Sequence, residues 1–160
     1  MKRILCILLM LLFCLPALAE ENPHAPFTIT VPESVARVDN EGSVPYVYGT
    51  SWVVVIRIER VPDADPAEAL TRMLAQFDPD AVIGDALPMA EGYTGLTALT
   101  AAKFGEDVNA YTVMLLAPDG TLLILTAYDM DGSEENARTL LDTLLSGMTA
   151  SGMPVVLKID

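Results

Sequence analysis

The sharpest pattern in the chain is the alternation in residues 51–59, SWVVVIRIE. Trp52, Val54, Ile56 and Ile58 share one side, and Val53, Val55, Arg57 and Glu59 share the other. A period of two predicts a strand. Residues 27–31, FTITV, repeat the pattern in shorter form and stop at Pro32. Residues 44–48 predict another strand, and Pro45, which has no N–H for a ladder, puts it at a sheet edge. Three more strands are expected at 96–104, 108–117 and 121–128, joined by Gly105-Glu106-Asp107 and Pro118-Asp119-Gly120. Such short turn-rich joints predict an antiparallel meander.

Two stretches change to the helical period. Leu70, Met73, Leu74 and Phe77 stand at i, i+3, i+4 and i+7, with Asp65 as a cap, Pro66 at the first helical position and Glu68 three residues after the cap. Ala137, Leu140, Leu141, Leu144, Leu145 and Met148 form the second stripe, over 133–148, capped by Asp131 or Ser133. Residues 81–94 show no clean period and are expected to be loop with at most a short strand, and 155–159 suggests a last strand. Met114-Leu115-Leu116 and Leu122-Leu123-Ile124-Leu125 are apolar on both strand faces, which calls for cover on both sides. The expected fold is therefore α+β: an antiparallel sheet of about six strands with one amphipathic helix on each face, in the order βββαβββα.

That order, opened by the Phe27–Pro32 strand, continued by Pro118-Asp119-Gly120 into a central strand and closed by a helix ending Leu144-Leu145-Ser146, resembles the PsbP-like fold. The resemblance covers about residues 27–148. It implies an antiparallel sheet between helices and a kinship with the extrinsic photosystem proteins and many exported bacterial proteins. An aromatic usually follows the first strand's proline in such chains, whereas Glu33-Ser34-Val35 follow here. The resemblance carries over no functional residue, and a fold of this kind serves unrelated tasks.

Composition changes the picture at the start of the chain. Lys2 and Arg3 precede twelve apolar residues, 4–15, then Pro16 and Ala17-Leu18-Ala19. This is the layout of a secretory signal peptide with cleavage after Ala19, since twelve helical residues reach only about 18 Å. Residues 20–26 are expected as a flexible lead-in, and 27–160 as one domain. The mature chain would have 141 residues, net charge −15 and no cysteine, because Cys6 and Cys14 leave with the signal. Disulfide and thiol chemistry are then excluded, and nucleic acid is an implausible partner. No later apolar run is long enough to span a bilayer.

The chemistry is sparse. The single histidine, His24, falls in the expected lead-in, poorly placed for a nucleophile–base pair. No Ser-x-x-Lys, Gly-x-Ser-x-Gly, phosphate loop or His-Glu-x-x-His occurs. Asp129-Met130-Asp131-Gly132 starts like a calcium loop and Glu135 follows, but Leu140 stands where the twelfth-position Glu belongs. A strand-to-helix turn is the plainer reading of Asp129, Asp131 and Glu135, and a helix stop is the plainer reading of Asp78, Asp80 and Asp85. Tyr46, Tyr48, Trp52, Tyr93, Tyr111 and Tyr128 are the candidates to line a sugar- or peptide-binding face; Trp52 is assigned to the core by its alternation with Val54 and Ile56, and Tyr46 and Tyr48, sharing one side of an edge strand, are the better surface candidates.

No catalytic, cofactor-binding or metal-binding residue is assigned, and no cofactor is expected. The leading expectation is an exported, non-catalytic binding or interaction module with an unspecified protein or small ligand. A calcium-responsive accessory protein and a carboxylate-only hydrolase of cell-envelope carbohydrate are the alternatives. The balance is against an enzyme.

Overall fold

A computed structural model describes residues 22–61, 65–103 and 107–157. The proposed signal segment and its cleavage site lie outside them. Seven strands form one antiparallel sheet: β2 (Ala36–Arg37), β3 (Val44–Tyr48), β4 (Ser51–Ile58), β5 (Val82–Leu87), β6 (Thr94–Lys103), β7 (Asp107–Leu116) and β8 (Leu122–Asp129). Their spatial order is β2-β3-β4-β8-β7-β6-β5. A second, three-stranded sheet joins β1 (Phe27–Ile29) to β9 (Met148–Ala150) and β10 (Met153–Pro154).

Two helices among the described residues, α1 (Pro66–Phe77) and α2 (Glu134–Ser146), cover opposite faces of the large sheet. Asp65 starts α1 by accepting hydrogen bonds from the Ala67 and Glu68 amides, with Pro66 at the first helical position. Ser133 starts α2 by accepting from the Asn136 amide. Both caps satisfy amides that the first turn leaves without partners. α1 buries Ala69, Leu70 and Leu74 against Met114, Leu116, Leu122 and Ile124. Phe77, expected in its stripe, is 41% exposed, and Ala69 is buried beside Leu70 and Leu74 instead. α2 buries Ala137, Leu140, Leu141, Leu144 and Leu145 over Val53, Val55, Val113, Leu123 and Leu125. Each buried leucine contributes roughly 1.5–3 kcal/mol, so a helix with four of them holds its place by burial alone. The odd and even positions of β7 and β8 thus feed two separate cores, which accounts for strands apolar on both faces.

The boundaries differ from the sequence expectations in several places, among them the last strand, expected over 155–159 and found at β10. Residues 82–87, within a stretch expected as loop with a short strand at most, form the six-residue edge strand β5, with a bulge between Ile83 and Ala86. β3 is not an edge, because the two-residue β2 pairs outside it at Tyr46 and Val47, just past Pro45. The last helix ends at Ser146, and Met148 turns instead into β9, which pairs with β1. The first strand therefore leaves the main sheet and, with β9, closes the end of the α2-side core, where Phe27 and Met148 are fully buried.

Polar groups inside the sheet are satisfied. Thr100, Thr112 and Thr126, on adjacent strands, form a hydroxyl chain with steps of 2.8 and 3.2 Å. Among the described residues, no buried side-chain polar atom lacks a partner, and no helix is long and apolar enough to cross a membrane.

Candidate functional site

The residues singled out by sequence fall mostly into structural roles. Asp129 ends β8 and is 2% exposed. Its carboxylate accepts hydrogen bonds from the Ser51 and Thr50 hydroxyls and from the Asp131 and Ser133 amides. Burial pushes its pKa up, but these four donors together hold it below the usual carboxylate range. The carboxylate therefore shapes the turn into α2, while Asp131 and Glu135 lie exposed. Among the described residues, no three acidic or histidine side chains come together as a cation would need. Asp78 likewise ties chain to chain, accepting from the Asp80 and Ala101 amides, and Asp85 sits apart at the β5 bulge.

His24 is a correction. The lead-in that was expected to be mobile is built into the fold from Asn22 onward. His24 is 3% exposed and its Nε2 lies 3.0 Å from the Tyr46 hydroxyl. Asn22 donates to the Phe27 carbonyl and Arg57 to the Ala25 carbonyl, fixing the segment on both sides of the ring. Burial lowers the His24 pKa to about 4, helped by the Arg37 and Arg57 charges and opposed by Asp39. Tyr46 is corrected with it: the ring belongs to the α2-side core, and of the two tyrosines only Tyr48 is exposed. Trp52 is half-buried beside Tyr128 and Val54 on the face opposite α2, while Val53 and Val55 take the deep positions in β4.

A cleft beside α2 was not anticipated. α2 packs over β4, β8 and β7 and leaves the β5–β6 corner of its own face uncovered. The result is a cleft of about 530 Å³ between the helix and that corner, within the range of small-molecule sites. Val82, Leu99 and Tyr111 stand in one register row across β5, β6 and β7, with Thr97 and Val113 in the next. Leu141 and Leu145 supply the helix side. Val82 is 64% exposed and its cross-strand partner Leu99 is 39% exposed, so the wall stays open. The bulge lets β5 approach closely: a Cβ on Gly84 would stand 2.6 Å from the Thr97 Oγ1, which donates to the Asp85 carbonyl.

Two opposite charges, Arg138 and Asp142, line this apolar cleft from α2. The Arg138 guanidinium lies over the Tyr111 ring, 5.3 Å from its centre, a cation–π placement. The Tyr111 hydroxyl donates to Glu134, which also accepts from the Asn109 amide, so Tyr111 is held from both ends. Burial pushes the Asp142 carboxyl above its usual range, and the Arg138 charge opposes this. The sequence did carry a signal for these groups. Glu134, Arg138 and Asp142 recur every four residues, the spacing of one helix edge, flanking the leucine stripe.

A smaller cleft of about 370 Å³ lies on the other flank of α2, lined by Tyr48, Asn136, Thr139 and Thr143. It holds no charged side chain among its described lining residues. No protein-family model and no curated protein matches the chain.

Proposed function

We propose that the chain is an exported, non-catalytic binding module that takes a small amphipathic molecule in the cleft between α2 and the β5–β6 corner. The observation that carries this reading is the cleft: an open, largely apolar wall whose lining also holds one guanidinium, Arg138, placed over Tyr111, and two carboxylates, Asp85 and Asp142. Apolar lining with a few placed polar groups is the usual composition of a ligand site. The signal-like residues 1–19 support export. The reading as non-catalytic is supported by the chain's one imidazole, which is engaged by the Tyr46 hydroxyl beneath the N-terminal segment.

The test is a ligand-observed NMR fragment screen run on the protein and on Leu99→Arg. Leu99 is partly exposed, so the longer side chain projects into the cleft without disturbing a core. Amphipathic fragments should bind the parent and lose saturation transfer in the variant. Fragments that bind both equally, or no binding at all, would remove the cleft as the site.

A second reading, a carboxylate hydrolase, draws on one observation. Asp85 and Asp142 line the same cleft, and burial holds the Asp142 carboxyl toward the protonated form that a general acid requires. It requires hydrolysis of an envelope glycan that Asp142→Asn abolishes. Unchanged glycan after prolonged incubation with the parent protein would dismiss it.

A further inference from the structure

The proposed site leaves open what kind of molecule its charges select, and three features of α2 narrow the class. Arg138 and Asp142 are separated by one helical turn, so their Cβ atoms stand about 5–6 Å apart. No ion pair within 4 Å joins them; the ion pairs among the described residues that fall within that distance are Arg37–Asp39 and Arg57–Glu59. Their order, cation before anion along the helix, is the less stabilising one at this spacing, although Glu134 stands one turn before Arg138 in the favourable order. Both side chains line the same cleft, one over an aromatic ring and one partly withdrawn from water, above an apolar floor.

We infer that the cleft recognises an apolar zwitterion of the amino-acid or short-peptide class, its carboxylate facing Arg138, its ammonium facing Asp142 and its side chains on the Leu99, Val113 and Leu141 floor. This rests on the reading of the cleft as a binding site. A dipeptide spans about 7 Å at most, whereas a free amino acid holds its charges closer together, so the two candidates differ in how far apart they place the two charges. The charges complement both ends: a guanidinium pairs with a carboxylate in a planar fork, and a carboxylate accepts from an ammonium. The volume of about 530 Å³ leaves room for two apolar side chains. Neither charge lies among the core residues of α2, so their removal leaves the docking face of the helix intact.

The experiment is titration calorimetry with L-leucyl-L-leucine against the protein, Arg138→Gln and Asp142→Asn, with thermal melts to show that both variants fold. N-acetyl-leucyl-leucine lacks the ammonium, leucyl-leucinamide lacks the terminal carboxylate, and free leucine tests the amino-acid source. Each capped peptide should bind the parent at least about tenfold more weakly than leucyl-leucine. Arg138→Gln should no longer distinguish the amide from the free acid, and Asp142→Asn should no longer distinguish the acetylated form. Leucine binding as tightly as the dipeptide would assign the amino acid as the ligand; tighter dipeptide binding would assign the peptide. Equal affinity for capped and free forms would overturn the zwitterion and leave an apolar cleft. So would no binding by any of these probes while fragments still bind. Failure of both the peptides and the fragment screen would remove the site as well.

Discussion

His24 shows how much one residue's surroundings decide. In an unfolded chain its imidazole takes a proton near pH 6.5; in the fold it does so only near pH 4, because burial and two nearby guanidinium groups disfavour the cation. The unfolded state therefore binds the proton first. The stability that His24 contributes is complete above about pH 6.5 and is lost as the pH falls toward 4. The difference corresponds to on the order of 3 kcal/mol at its limit. His24→Gln keeps a hydrogen-bonding partner for Tyr46 but cannot take the proton. Urea midpoints at pH 7 and pH 4.5 should drop more for the parent than for this variant. Parallel drops would show that the acid sensitivity comes from other groups.

Asp129 is the second residue whose role is set by its partners. Asp129→Ala would leave two hydroxyls and two amides facing an apolar methyl, at a cost of roughly 2–4 kcal/mol in urea unfolding. Because those donors already use the carboxylate, millimolar calcium should leave the melting midpoint of the parent unchanged. A rise in midpoint would show a native-state cation site.

At the scale of elements, the joint between α2 and β9 is the tightest. A Cβ on Gly147 would land on the Thr30 carbonyl oxygen, and the Thr30 amide donates to the Gly147 carbonyl. Alanine is the better helix former by about 1 kcal/mol, so propensity alone predicts that Gly147→Ala stabilises the end of α2. The contact with β1 predicts the reverse, a loss above about 2 kcal/mol in chemical denaturation, because backbone must move. A more stable variant would mean that β1 does not lie against the helix end. The two helices, their caps and the β6–β8 meander were legible in the sequence because each rests on local periodicity and turn chemistry. β5 was not: a bulge at Gly84-Asp85 breaks its alternation, and only pairing with β6 reveals it as a strand. The same limit hid His24, whose burial depends on Tyr46, 22 residues away. It also hid the cleft, which exists because α2 covers some strands of its face and not others.

For the whole molecule, the net charge of −15 expected of the mature chain is what a calcium-responsive protein would use to attract its cation. The structure distributes that charge differently. Carboxylates cap and close turns at Asp65, Asp78 and Asp129, and others lie exposed, as Asp131 and Glu135 do. Against this acidic background, the guanidinium over Tyr111 marks one place where an anionic group is attracted. The two-sided sheet supplies a rigid floor, and the incomplete cover by α2 leaves part of that floor open. The most direct test of this account is chemical-shift mapping of leucyl-leucine on the ¹⁵N-labelled protein. The account predicts shifts concentrated at residues 82–87, 97–99, 111–113 and 138–145, at both ends and along the floor of one cleft. Shifts centred on Tyr48 and Thr139, or none, would contradict it.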